Sequence, residues 1–143
     1  MGMYTELNIA VRLNNQKLDE DKFVLPILSY MIYGAVKGDL TVAESDMPDH
    51  PLFKTRRWSY MLQCDSFYFP HTVYTSLVHR GEDDIILNIR CDLKDYDDEI
   101  KKFLDWIYPY TETRGFIGYT RYEEDDDPTL VYFDDEGVRF KNV

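Results

Sequence analysis

Between residues 4 and 13, Leu7, Ile9, Val11 and Leu13 alternate with Glu6, Asn8, Ala10 and Arg12, the two-residue period of a strand with one buried face. The spacing then changes. Phe23, Ile27, Tyr30 and Met31 recur at three- and four-residue intervals up to Gly34. Asp19-Glu20-Asp21 precedes them, placing negative charge where a helix start stabilises it. A first helix is expected here, ended by Gly34 and Gly38. Pro26 lies too deep for an ideal first turn and requires that helix either to begin late or to kink.

Residues 39–57 read as the longest loop, because Met47-Pro48 and His50-Pro51 impose extended or turn geometry. Beyond it Trp58, Tyr60, Leu62 and Cys64 alternate with Ser59, Met61, Gln63 and Asp65, which predicts a strand. Residues 72–80 and 85–93 predict two more, joined at Gly81-Glu82-Asp83-Asp84, and the three are expected to form a meander. The second helix is the clearest element: Asp95 or Asp97 as cap, then Ile100, Phe103, Leu104 and Ile107 as one stripe, with Pro109 as the stop. Residues 116–122, 130–133 and 138–140 predict the last strands, with Asp134-Asp135-Glu136-Gly137 as a turn. The order predicts a single α+β domain over residues 1–143: a mainly antiparallel sheet of five to seven strands with two helices and split β-α-β elements of the ferredoxin-like type. That likeness concerns fold and carries no activity.

Composition agrees with one packed core. The chain has 143 residues, 44% hydrophobic and 15% aromatic, enough to fold without a metal or disulfide. Cys64 and Cys91 fall on apolar phases and read as buried thiols, since two cysteines do not make a secreted framework. Met1-Gly2-Met3-Tyr4 starts neither a signal peptide nor a myristoylation pattern. The apolar stretch 23–36, broken by Pro26, is far short of a membrane span. The cytoplasm is the expected compartment, with no membrane partner.

Charge adds the first functional information. The net charge is −11, yet residues 54–80 are positive, with Lys54, Arg56, Arg57 and Arg80 against Asp65. The acids cluster at Asp19-Glu20-Asp21, Glu82-Asp83-Asp84, Asp95 with Asp97-Asp98-Glu99, and Glu123-Glu124-Asp125-Asp126-Asp127 continued by Asp134-Asp135-Glu136. Turns prefer Asp, and helix starts stabilise carboxylates by about 0.3–1 kcal/mol each, so these clusters have a structural explanation. The functional expectation is a negative surface that steers a basic protein partner. Direct nucleic-acid binding needs clustered Lys and Arg and is not expected. Carboxylates in place of phosphates could instead fill the groove of a basic nuclease or other nucleic-acid-binding protein, as phage-type inhibitors and immunity proteins commonly do. The candidate residues are Tyr122, Glu123, Glu124, Asp125, Asp126, Asp127, Asp134 and Asp135. Twelve tyrosines suit such an interface but equally suit strands.

The alternative ligand is a small anion or nucleotide at Lys54, Arg56, Arg57 and Trp58, where guanidinium groups grip phosphate and the indole stacks. Arg80, Arg90, Arg114 and Arg121 are candidates to join it. The structural alternative there is pairing with neighbouring acids. Catalysis is not expected: His50, His71 and His79 have no metal-ligand spacing, and the nucleophile elbow, the phosphate-binding loop and the dinucleotide fingerprint are missing. No cofactor or metal is implied. Edge strands leave homodimerisation by strand addition open.

Overall fold

The computed structural model describes residues 3–34, 40–70 and 73–143. Gly38 as a helix stop, Val36, His71 and a strand start at Thr72 lie outside the described residues. The expected first strand is β1 (Thr5–Arg12); Leu7, Ile9 and Val11 point into the core and are all but inaccessible. After it comes a short helix that the periodicity does not signal, α1 (Asn15–Glu20), begun by the Asn14 side chain, which accepts from the Lys17 N–H at 3.1 Å. The acidic triplet therefore ends this helix, and only Asp21 also reaches the start of the next, its carboxylate accepting the Phe23 N–H at 3.2 Å. The expected helix is α2 (Val24–Tyr33), closed by Gly34 at φ +57°. It begins late, which puts Pro26 in its first turn, where a missing N–H costs nothing.

The strand expected over residues 58–65 is not formed. Among the described residues this stretch makes turns and one 3-10 turn, Met61–Gln63. The reason is packing: Met61 and Leu62 are neighbours in sequence and both fully buried, which a strand cannot do on one face. Gln63 then holds the turn against α2, donating from Nε2 to the Met31 carbonyl at 3.0 Å.

Six strands form one antiparallel sheet: β1, β2 (Ser76–Arg80), β3 (Asp84–Leu93), β4 (Gly115–Tyr122), β5 (Thr129–Asp134) and β6 (Gly137–Asn142), in spatial order β2-β3-β1-β4-β5-β6. The class is α+β, as the sequence predicts. The expected three-strand meander is replaced by the hairpin β2–β3 with β1 beside it. β1 and β2 run parallel with β3 between them, and β3 and β4 run parallel with β1 between them, so two split β-α-β units interleave. α3 (Glu99–Ile107) crosses between β3 and β4, its stripe Ile100, Phe103, Leu104 and Ile107 buried. Asp95 caps it from a distance, its carboxylate accepting the Ile100 N–H at 2.9 Å.

Part of the second face of the sheet, over β1 and β3, is also covered. On β1 and β3 the phase opposite the core carries Glu6, Asn8, Arg90 and Asp92, and Glu6 and Asp92 are buried. The chain after Cys64 lies over them: Phe69, almost fully buried, stacks under the Arg121 guanidinium at 5.0 Å, and Arg90 donates to the Pro70 carbonyl at 3.2 Å. Arg90 also reaches Glu6 at 3.5 Å. Neither oxygen of Asp92 has a hydrogen-bond partner of good geometry. Burial pushes its carboxyl up to about 6; Ser66 pulls against this, and Asp65 and Glu6 push with it.

A pH dependence follows. Between the ordinary carboxyl range and about pH 6 the folded chain holds a proton on Asp92 that the unfolded chain has lost, so this group's contribution to stability falls as pH rises through 6 and is level above. Asp95, pushed up to about 7 mainly by burial, acts in the same direction. Asp92→Asn is expected to leave stability unchanged at pH 4 and to raise it at pH 8 by about 1–3 kcal/mol, because the amide removes an unsatisfied buried charge. Denaturant unfolding at the two pH values checks this; an equal effect at both would contradict it.

Candidate functional site

Antiparallel connectivity sorts the acidic clusters by sheet end. The β4–β5 connection, residues 123–128, lies at the end where β4 finishes at Tyr122. The β5–β6 turn, with Asp134 and Asp135, lies at the other. A strand of β5's length separates them by about 20 Å. The predicted acidic site is therefore divided, and Asp134 and Asp135 do not join Tyr122 and residues 123–127.

The two ends differ in how their charge is compensated. At the end of Asp134, Arg139 pairs with Asp134 at 3.3 Å, Arg12 pairs with Asp84 and Glu112, and Lys17 reaches Glu20 at 3.8 Å. Tyrosines consume acceptors there too: Tyr110 donates to Asp21 at 2.8 Å, and Tyr108 to the Asp134 carbonyl. At the Tyr122 end, Glu123 is fixed to β1, accepting from the Tyr4 N–H at 2.6 Å while its own N–H donates to the Tyr4 carbonyl at 2.9 Å. Glu124, Asp125, Asp126 and Asp127 are exposed, and among the described residues no Lys, Arg or His nitrogen lies within 4 Å of them. Partial desolvation, Glu124, Glu123, Tyr96 and Asp125 together push the Tyr122 hydroxyl up.

Tyr4 ties this run to aromatic surface that the sequence reading missed. Its ring lies 6.0 Å from that of Tyr68, which stacks on Phe67 at 4.5 Å. Phe67 is 89% exposed and Tyr96 57%. The available signal was Phe67-Tyr68 between Ser66 and Pro70: bulky aromatics inside turn chemistry have no strand face to fill. Lys94 adjoins it, 5.8 Å from the Tyr4 ring.

The basic island is dispersed by the fold. Arg57 turns inward, its guanidinium 3.6 Å from the fully buried Glu99 carboxylate and 5.2 Å from the Tyr96 ring. Trp58 meets Phe53 edge-on at 5.0 Å, and Phe53 meets Trp106 at 5.2 Å, so the indole packs with the core. Lys54 and Arg56 remain outside, pairing with Asp49 at 3.8 Å and Asp97 at 3.4 Å. Arg90, Arg114 and Arg121 are engaged elsewhere, with Glu6, Thr111 and Phe69; Arg80 ends β2.

Burial pushes the Cys64 thiol up to about 11 and the fully buried Cys91 well above its ordinary value, so both stay protonated at neutral pH. Both are free. His50 Nδ1 accepts the Leu52 N–H at 3.1 Å, shaping a turn. Among the described residues no group of three His, Cys, Asp or Glu side chains could hold a metal ion, and no helix is long and apolar enough to cross a membrane. No protein-family model matches this chain, and neither the curated proteins nor the solved structures give a significant match.

Proposed function

We propose that the chain is a non-catalytic cytoplasmic binding protein that docks its Tyr122 end onto a basic partner, a nuclease or other nucleic-acid-binding protein, and blocks the groove that phosphates would occupy. One observation carries this reading: the carboxylates of residues 124–127 stand exposed with no cation of the described residues within 4 Å, beside the aromatic surface of Tyr4, Phe67, Tyr68 and Tyr96. Uncompensated charge steers association and large rings bury area with little rotamer entropy to lose, a pairing suited to hot spots. Acids already paired at the other end of the sheet contribute little to such a field.

The test replaces Glu124, Asp125, Asp126 and Asp127 by Gln, Asn, Asn and Asn. These exposed changes should each shift stability by no more than about 0.5 kcal/mol. Wild-type protein immobilised with lysate of its native host should retain a basic nucleic-acid-binding protein that DNA oligonucleotides displace and that rising salt releases. The quadruple variant should lose it. Retention unaltered by the four changes, or indifferent to DNA, would overturn the proposal.

A further inference from the structure

We infer a phosphate-binding cleft, independent of the partner reading above, in which Lys54, Arg56 and Lys102 grip a phosphate or diphosphate group without reading any base. The cleft has a volume of about 570 Å³ and lies between the 3-10 turn Pro51–Lys54 and the first turns of α3; Thr55 and Asp97 complete its lining. That volume falls within the roughly 300–1,000 Å³ of small-molecule sites. Its charged lining is Lys54, Arg56 and Lys102 against Asp97, a balance of +2 in a chain of −11.

Two of these cations, Lys54 and Arg56, are loosely held. The Arg56 backbone N–H and Nε both approach one Asp97 carboxylate oxygen, at 3.5 and 3.4 Å, so an amide and a guanidinium already converge on an oxyanion at the limit of hydrogen-bonding distance. Lys102 donates to the Asp97 carbonyl at 2.7 Å, and Lys54 reaches Asp49 only at 3.8 Å. Lys54 and Arg56 are about three-quarters exposed, and solvent-exposed pairs of this kind are worth about 0–1 kcal/mol, so a dianionic phosphate offering several charge-assisted hydrogen bonds can displace them. The charge left after Asp97 is counted matches such a dianion.

Base recognition has no partner here. The one tryptophan of the island is committed to Phe53, and among the described residues no aromatic side chain lines the cleft. This alters the sequence reading in two ways: Arg57 and Trp58 leave the site, and Lys102 enters it from α3, where its place three residues after Glu99 puts it on the flank of the apolar stripe.

Amide spectra of the whole chain titrated with sodium pyrophosphate, ATP and GTP test the inference. Pyrophosphate should shift the resonances of Thr55, Arg56 and Lys102 saturably, and ATP and GTP should bind within about threefold of each other. The Lys54→Ala/Lys102→Ala variant should lose at least about tenfold in affinity. Should that variant melt well below wild type, Lys54→Ala/Arg56→Gln, whose side chains are mostly in solvent, replaces it with the same expected loss. Absence of saturable shifts at millimolar pyrophosphate, shifts confined to other residues, or affinity retained in the variant that folds would overturn it. Strong preference for one base would do so as well.

Discussion

Gly118→Ala will either prevent folding or destabilise the protein by more than about 4 kcal/mol, the range reserved for changes with a definite steric cause. Gly118 sits in the sheet interior opposite Ile9, next to the bulge that shifts register between Phe116 and Gly118. Its φ is +153°, a backbone state that side chains rarely adopt, and a Cβ there would drive into the Asn8 carbonyl and lie 2.7 Å from Ile9 Cα. Both obstacles are backbone of β1, which is locked between β3 and β4 and has nowhere to move. Gly115 provides the control. Its φ is also positive, at +106°, but a Cβ there would meet nothing within 4 Å. Gly115→Ala should therefore cost only the backbone strain, on the order of 1–3 kcal/mol. Denaturant unfolding of the two variants separates conformational strain from collision; equal losses would refute the close-approach argument.

The same bulge marks how far the sequence could be read. β4, β5 and β6 are legible because turn residues bracket short alternating runs, and α3 because its apolar stripe meets only core. Residues 58–64 mislead because alternation there is accidental; Met61 and Leu62 fill the space between α2 and β3 as a helical turn. α1 is too short to show a period, with Leu18 its one buried residue. Burial of Glu6 and Asp92 was invisible for another reason: the polar phase of a strand reads as solvent-facing unless the chain that covers it is known, and residues 64–70 carry no periodic sign of where they lie. The division of the acidic clusters, by contrast, was within reach. Successive turns of an antiparallel meander must fall at opposite ends, so Asp134 and Asp135 could not adjoin Tyr122 once β5 was recognised as a strand.

The dispersal of Lys54, Arg56, Arg57 and Trp58 follows from a pair that alternation cannot show, and it supplies the second large effect. Arg57→Ala should destabilise by about 3–5 kcal/mol, the usual cost of removing one member of a buried ion pair. Glu99 is fully enclosed; one oxygen accepts the Asp97 N–H at 2.6 Å, while the other has no hydrogen bond among the described residues and is balanced by the Arg57 guanidinium, 3.6 Å away. Taking the guanidinium away leaves that charge in low dielectric and also removes the stacking on Tyr96. Replacing both partners with neutral side chains of similar volume, Arg57→Met with Glu99→Gln, should recover most of the loss, because the desolvation cost of both charges goes with them. A double-mutant cycle by denaturant unfolding measures the coupling. If the double variant were as unstable as the two single losses added together, Arg57 would be acting through packing alone, and the inward turn of the basic island would need a different cause.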